Sequence, residues 1–367
     1  MGTELRVVVA GGGTGGHLYP GIAVARELLS QRPDAIVTFA GTARGIESRV
    51  VPREGFELDT IRSGGLKGKS MAERARGALL IPLGLLDAWR VVSRRRPHLV
   101  IGVGGYSSGP IVLTAALRNV PTMLLEQNAV PGLTNRLLSR VVRAAAVTHE
   151  STAAFFGAKA FVSGNPVRAE FVSAKDAGTG VSEPAEASGA GILICGGSQG
   201  AHAINLAMVE AASGLANLGV ALRVVHQTGE RDVDMVRAGY AAAGLRAEVE
   251  PFLYDMGARF EQADLIVCRA GATTLAELTA AGRPSILIPL PTATDDHQRR
   301  NAEALSSTGA AQMLLQADAT GAALGGRIAA LVTDVRVRMG MSAAARAQAR
   351  PHAARVIVER ALELVKS

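Results

Sequence analysis

Aromatic side chains are scarce in this sequence, at 4% of 367 residues, and cysteine occurs only twice, as Cys195 and Cys268. The first scarcity argues against the stacking platforms on which single-strand nucleic-acid binders rely, and no nucleic-acid partner is expected. The second excludes a disulfide framework. Both cysteines lie in apolar runs, "GILICGG" and "DLIVCRAG", and are expected as reduced core thiols of a cytosolic protein. Long hydrophobic runs are missing too. The greasiest stretch, "ALLIPLGLLDAW", is broken by Pro82 and falls short of the ~20 residues of a membrane span. The first apolar run, "LRVVVA", is too short for a secretory leader and passes straight into glycines. There is no HExxH, no paired Cys/His spacing and no Gly-x-Ser-x-Gly elbow. The nearest acidic pair, Asp295-Asp296, falls in a Pro/Thr-rich loop, so neither a metal site nor a cofactor is expected.

What is present suits two packed domains: 48% hydrophobic and 19% charged residues over a length that exceeds one typical domain. The net charge of +7 is local. Arg62 to Arg96 holds nine basic and two acidic residues, a surplus equal to the whole. Leu79, Leu80, Ile81, Leu83, Leu85, Leu86 and Trp89 lie among those cations. Such a run reads either as a solvated face or as a surface for an anionic membrane, where each cation adds ~1 kcal/mol.

Continuous apolar runs alternate with helical patterns along the chain. "LRVVVA", "AIVTFAG", "LVIGVGG" and "TMLLEQN" read as buried parallel strands. In "GIAVARELLS", Ile22, Ala25 and Leu29 share a helical face, with Pro20 placed in a first turn. Residues 173–190, rich in Gly, Ser, Pro and Ala, read as a linker or loop. The pattern then restarts with "GILICGG", and Ile204, Met208, Ala211 and Leu215 recur at helical spacing. Each half opens with strand, glycine turn and helix. The fold class is therefore α/β, with two Rossmann-like doubly wound domains facing across a cleft. Their spans are expected at 1–164 and 165–340, with a helix at about 341–367 packing back on the first.

"GGGTGGHLYP", Gly11 to Pro20, contains a GxGxxG, but the acid that holds a dinucleotide's ribose is absent. The second strand ends in Phe39-Ala40-Gly41-Thr42, Asp34 precedes it and Glu47 lies well beyond it. What survives is a glycine turn at a helix start, able to hold an anion or a sugar edge. The device recurs at "GGSQGA", where Ser198 adds a hydroxyl, and at "CRAGATTLAEL", where Gly271 opens a helix carrying Glu277. Three such turns favour a bound phosphate or diphosphate. Tyr106, Ser107, Glu126, Gln127, Asn128, Asn165 and Arg168 also fall at strand ends.

Taken in order, "GGGTGGH", "GGYSSGP", "EQNAVPGLTN", "GNPVR", "GGSQGA" and "CRAGATTLAELTAAGRPSILIPLP" followed by "DDHQRRNA" resemble glycosyltransferase family 28 of peptidoglycan synthesis, over essentially the whole chain. The resemblance implies a GT-B fold and transfer of N-acetylglucosamine from its UDP donor to lipid I. It implies that Thr14, Gly15 and Gly16 face the donor and that Asn128 lies near the donor sugar. Arg168 and Ser198 would surround the diphosphate, and the Leu253 backbone would face the uracil. Ala272, Thr273, Thr274, Leu275, Ala276 and Glu277 would form the helix start, with Glu277 on the ribose hydroxyls, and Gln298 would read the sugar. Lys67 to Trp89 would dock on the anionic inner leaflet, making the protein peripheral to the cytoplasmic face of the membrane. Two stretches depart from the family pattern: "RSGGLKGKS" has an extra glycine, and 173–190 matches poorly.

An α-linked donor and a β(1→4) product require one inverting displacement, with a base opposite the leaving group. His17 is the candidate, since a helix start favours the uncharged imidazole; Glu126 and Tyr106 are alternatives, and His17 could instead only hydrogen-bond substrate or backbone. Rival functions are a sugar-nucleotide epimerase of the same fold, glycosyl transfer to diacylglycerol, and a non-catalytic UDP-sugar-binding scaffold.

Overall fold

The computed structural model describes residues 4–64, 71–172, 189–197, 199–293 and 296–366, with the backbone alone over 71–79. Lys67, Lys69, Ser198 and most of the segment expected as a linker lie outside the described residues, as do the side chains of Arg74, Arg76 and Leu79. The chain divides into two compact units, Met1–Arg168 with Arg350–Ser367, and Ala169–Ala349.

Unit 1 holds strands β1 (Arg6–Gly11), β2 (Ile36–Gly41), β3 (Glu57–Thr60), β4 (Leu99–Gly104), β5 (Thr122–Glu126), β6 (Ala144–Val147) and β7 (Ala160–Val162). Its helices are α1 (Gly15–Gln31), α2 (Glu47–Arg53), α3 (Met71–Arg95), α4 (Ser108–Leu117), α5 (Leu133–Leu138) and α6 (Glu150–Phe156). The strands form one parallel sheet in the order β3-β2-β1-β4-β5-β6-β7. Side-chain alternation explains why β1 is apolar throughout. Val7 and Val9 enter one core layer with Ile22 and Leu28, while Val8 and Ala10 enter the other with Ile111 and Val112. Each such fully buried aliphatic side chain contributes roughly 1.5–3 kcal/mol.

Unit 2 repeats the plan with β8 (Ala190–Cys195), β9 (Leu222–Gln227), β10 (Ala247–Glu250), β11 (Leu265–Cys268), β12 (Ser285–Leu287) and β13 (Ala311–Met313). Its helices are α7 (His202–Ala216), α8 (Val233–Ala242), α9 (Met256–Gln262), α10 (Ala272–Ala281), α11 (His297–Ser307), α12 (Gly321–Thr333) and α13 (Val335–Ala347). The sheet order is β10-β9-β8-β11-β12-β13. Ile192 and Ile194 face α7, where Ile204, Met208, Ala211 and Leu215 line the buried side, and Leu193 and Cys195 face Phe260 and Leu278. Cys195 and Cys268 are register partners on neighbouring strands, both buried and free. The neighbouring Cys195 thiol, together with burial, holds the Cys268 thiol well above its usual range. In both sheets the winding reverses beside the first strand, between β1 and β4 and between β8 and β11, and such reversals are where open α/β sheets bind ligands.

Two expectations need correction. The returning tail starts later than about 341: α13 stays with unit 2, where Met341 and Ala345 are core residues and Ser342 Oγ donates to the Gly282 carbonyl (2.6 Å). The last helix, α14 (Ala353–Lys366), is the part that packs on unit 1, through Ile357, Val358 and Ala361. Pro20 does not open its helix. Helix α1 begins at Gly15, and its first turn is made by the His17 and Leu18 N–H groups donating to the Thr14 carbonyl (3.3 and 3.2 Å).

Candidate functional site

In unit 1, the turn between β1 and α1 brings His17 to the C-terminal edge of the sheet, beside the switch point. The imidazole is half-buried, and its Nδ1 lies 3.1 Å from Gln127 Oε1. Thr14 is the exposed N-cap of α1, and its hydroxyl caps no helix N–H. The turn is not a bare anion site, contrary to expectation. Glu47, fully buried at the start of α2, accepts from the Gly13 N–H (2.8 Å) through one carboxylate oxygen. Its other oxygen accepts from the Thr42 N–H and hydroxyl (both 2.8 Å). The acid dismissed as too far along the chain thus occupies the glycine turn itself.

The β5–α5 loop is built around Glu126. Its carboxylate accepts from the Asn128 N–H (3.1 Å) and Nδ2 (3.3 Å), the Gly132 N–H (2.9 Å) and Asn135 Nδ2 (2.9 Å). Four donors occupy the carboxylate oxygens of this buried group and tie it into the loop, so Glu126 is a loop organiser. Its hold on Asn128 Nδ2 turns the Asn128 side-chain oxygen outward. His149, beside Glu126, is kept below its ordinary pKa by burial, an effect Glu126 partly offsets. Tyr106 is exposed. Arg168 belongs to unit 1, where its guanidinium stacks over the Tyr19 ring of α1, 4.2 Å from the centroid.

The basic stretch is partly neutralised within the fold. Arg62 pairs with Asp87 through two bonds of 2.7 Å, which pulls that carboxyl down to about 2, and Asp59 pairs with both Arg94 and Arg95. Ile81, Leu83, Leu86 and Trp89 nonetheless stay exposed along α3, and Arg118 stacks on Trp89 at 4.8 Å.

In unit 2, three loops meet through a residue that the sequence reading left out. Gln227, buried at the end of β9, donates to the Gly197 carbonyl (2.8 Å) and accepts from the Leu253 N–H (3.0 Å). The Leu253 N–H is therefore spent inside unit 2. Gly200 closes the turn against β9: its φ is +73°, and a Cβ there would collide with the Thr228 carbonyl oxygen. Below this turn lies a buried polar chain. Asn205 Nδ2 donates to the Thr228 carbonyl (2.9 Å) and Asp232 (2.8 Å), so its oxygen faces His226 Nε2 (3.0 Å). His226 Nδ1 then accepts from the Tyr240 hydroxyl (2.7 Å).

Burial holds the His226 pKa down to about 3. Between its unfolded value of ~6.5 and about 3, the unfolded chain binds a proton that the folded unit refuses. Unit 2 should accordingly lose stability as pH falls through that window. Urea unfolding of unit 2 at pH 7 and pH 5 measures the loss, which should shrink in His226→Gln; equal losses in both proteins would refute it.

Helix α10 starts at Ala272 after the N-cap Gly271, and its first-turn N–H groups lie outside the intrahelical ladder. Thr273 and Glu277 are buried on it, with Thr274, Leu275 and Ala276 half-buried between them. On α11, Gln298 accepts the Leu290 N–H through Oε1 (3.0 Å), so its NH₂ is the outward donor. Among the described residues, no group of three or more His, Cys, Asp or Glu could hold a metal ion.

The glycosyltransferase family 28 N-terminal domain matches residues 7–147, and the family's C-terminal domain matches residues 191–357. A UDP-N-acetylglucosamine--N-acetylmuramyl-(pentapeptide) pyrophosphoryl-undecaprenol N-acetylglucosamine transferase of Anaeromyxobacter sp. (strain K) is 46% identical, over 99% of this chain and 94% of its own. The crystal structure of Acinetobacter baumannii MurG superposes with a TM-score of 0.76 at 32% identity, covering 98% of this chain and 99% of that one. A UDP-N-acetylglucosamine 2-epimerase structure reaches a TM-score of 0.71 at 16% identity, over 99% of this chain and 96% of that one, a likeness of fold alone.

Proposed function

The chain belongs to glycosyltransferase family 28 and has its GT-B fold, and from that premise we propose a reaction with named roles for its residues. The enzyme moves N-acetylglucosamine from UDP-N-acetylglucosamine to the 4-hydroxyl of the muramyl sugar of lipid I, undecaprenyl-diphospho-MurNAc-pentapeptide. The product is the β(1→4)-linked lipid II of peptidoglycan synthesis. One observation supports the assignment of roles: the motif residues follow strand C-termini, with His17 and Gln127 beside the β1–β4 reversal and Glu277 on the helix that follows β11 at the β8–β11 reversal.

The muramyl oxygen attacks the anomeric carbon as the bond to the diphosphate breaks, and His17 takes the hydroxyl proton. UDP leaves with the bonding pair. Its charge is met by Arg168, by Ser198 and by the helix-start N–H groups of α10. Glu277 accepts from the ribose hydroxyls, the Leu253 carbonyl meets the uracil, and the Gln298 NH₂ donates to a sugar hydroxyl. Thr14, Gly15, Gly16 and the Asn128 side-chain oxygen face the donor sugar. Tyr19 supports this reading by holding the Arg168 guanidinium in place.

The apolar ridge of α3 docks on the anionic inner leaflet, with Trp89 at the interface, and holds the enzyme peripherally at the cytoplasmic face. Among the described residues, no helix is long and apolar enough to cross a membrane.

A transfer assay with labelled UDP-N-acetylglucosamine and a short-chain lipid I analogue tests the reaction. UDP and a disaccharide lipid are expected, and both should persist in excess EDTA. An altered free sugar nucleotide formed without acceptor would favour an epimerase, and strict dependence on added Mg²⁺ would overturn the assignment of leaving-group charge to protein groups alone.

A further inference from the structure

Gln127 stands in the "EQN" motif beside two residues given roles, yet it is the one whose side chain touches His17. It is buried at 2% exposure, and its amide orientation is set from behind: Nε2 donates to the Val103 carbonyl of β4 at 3.1 Å. The amide oxygen is thereby turned toward His17 Nδ1, 3.1 Å away. An amide oxygen accepts and cannot donate, so the imidazole carries its proton on Nδ1 and its lone pair on Nε2. The ring is also seated from below. Gly104, at φ +97°, lies against it, and a Cβ there would stand 2.8 Å from Nδ1.

We infer that Gln127 is a positioning residue that fixes the tautomer and direction of His17, so that Nε2 faces the acceptor hydroxyl as a ready base. The partner's neutrality matters. A carboxylate in the same place would stabilise the imidazolium and oppose the uncharged form that accepts a proton, whereas an amide orients the ring without adding charge. Three segments separated along the chain supply the arrangement: the β1–α1 turn, the end of β4 and the end of β5. This inference rests on His17 being the base.

Two substitutions in the full-length enzyme test it. Gln127→Met keeps the volume and removes the hydrogen bond; kcat should fall about 10–100-fold while UDP affinity, read by calorimetry, stays within about twofold. Gln127→Glu keeps the acceptor and adds charge; the acid limb of kcat/KM should move up by about one pH unit. Histidine ¹⁵N NMR of the wild-type protein, with the His17 signal assigned by its loss in His17→Ala, reads the tautomer without any change at Gln127. A proton on Nδ1 is expected. A proton on Nε2, wild-type kcat in Gln127→Met, or an unmoved acid limb in Gln127→Glu would each overturn the inference. If His17→Ala itself keeps its turnover, the base assignment has failed. If His17→Ala is inactive and the Gln127 variants are silent, the base stands and the positioning role falls.

Discussion

Replacing His17 by alanine should lower turnover by about 10²–10⁴-fold, the usual worth of a positioned general base. UDP binding should hardly change, because the groups assigned to uracil and ribose lie on other segments, at Leu253 and Glu277. The loss should therefore appear in kcat with acceptor saturating, while UDP affinity stays within about threefold. Alanine also removes the ring seated on Gly104 and the hydrogen bond to the buried Gln127 amide, so a loss of about 1 kcal/mol in the stability of unit 1 is expected beside the much larger loss of rate. Turnover close to wild type would remove His17 as the base and return the role to Tyr106.

The second large effect is expected at Glu47, which touches no substrate in the proposed reaction. Glu47→Ala leaves three part-buried donors without their acceptor: the Gly13 N–H, the Thr42 N–H and the Thr42 hydroxyl. Water can reach part of this set, so the lost bonds and the cavity left by the buried carboxylate together are expected to destabilise unit 1 by about 1–3 kcal/mol. Because Gly13 lies four residues before His17, the loosened turn should also cost about 100-fold in transfer. Added formate, small enough to refill the site with a carboxylate, should restore part of the rate. The groups assigned to uracil and ribose, Leu253 and Glu277, lie in unit 2, so UDP affinity should remain near wild type. Unchanged transfer in Glu47→Ala would show that the glycine turn holds its shape without the clamp.

Glu47 also shows where reading along the chain runs out. Its carboxylate reaches Gly13 from another helix, 34 residues on, and nothing in local spacing signals that meeting. The turn was legible as a helix start; that one of its N–H groups is already spent was not. Glu126 and Gln127 make the same point in reverse. As neighbours at the end of a strand they point to opposite sides, so one organises the loop over 128–135 and the other reaches back to β4 and His17. Chemistry alone ranks a carboxylate above an amide as a candidate base, and the alternation of the strand assigns them differently. Gln227 escaped notice for a similar reason: its two partners, Gly197 and Leu253, lie 30 and 26 residues away on either side.

Much was settled before any folding was considered. Apolar runs without alternation require strands covered on both faces, and glycine turns between such strands and amphipathic helices require parallel winding, so two doubly wound units follow from the order of residues. The family resemblance carried by the motifs added His17, Glu277 and Gln298 as candidates. The tertiary structure alone decided which polar groups remain for a ligand. Each buried donor or acceptor must be satisfied, and its partner depends on which strands become neighbours, here β1 with β2 and β4, β4 with β5, and β9 with β10. That pairing spends the Gly13 and Leu253 N–H groups inside the protein and sets a neutral amide against the imidazole of His17.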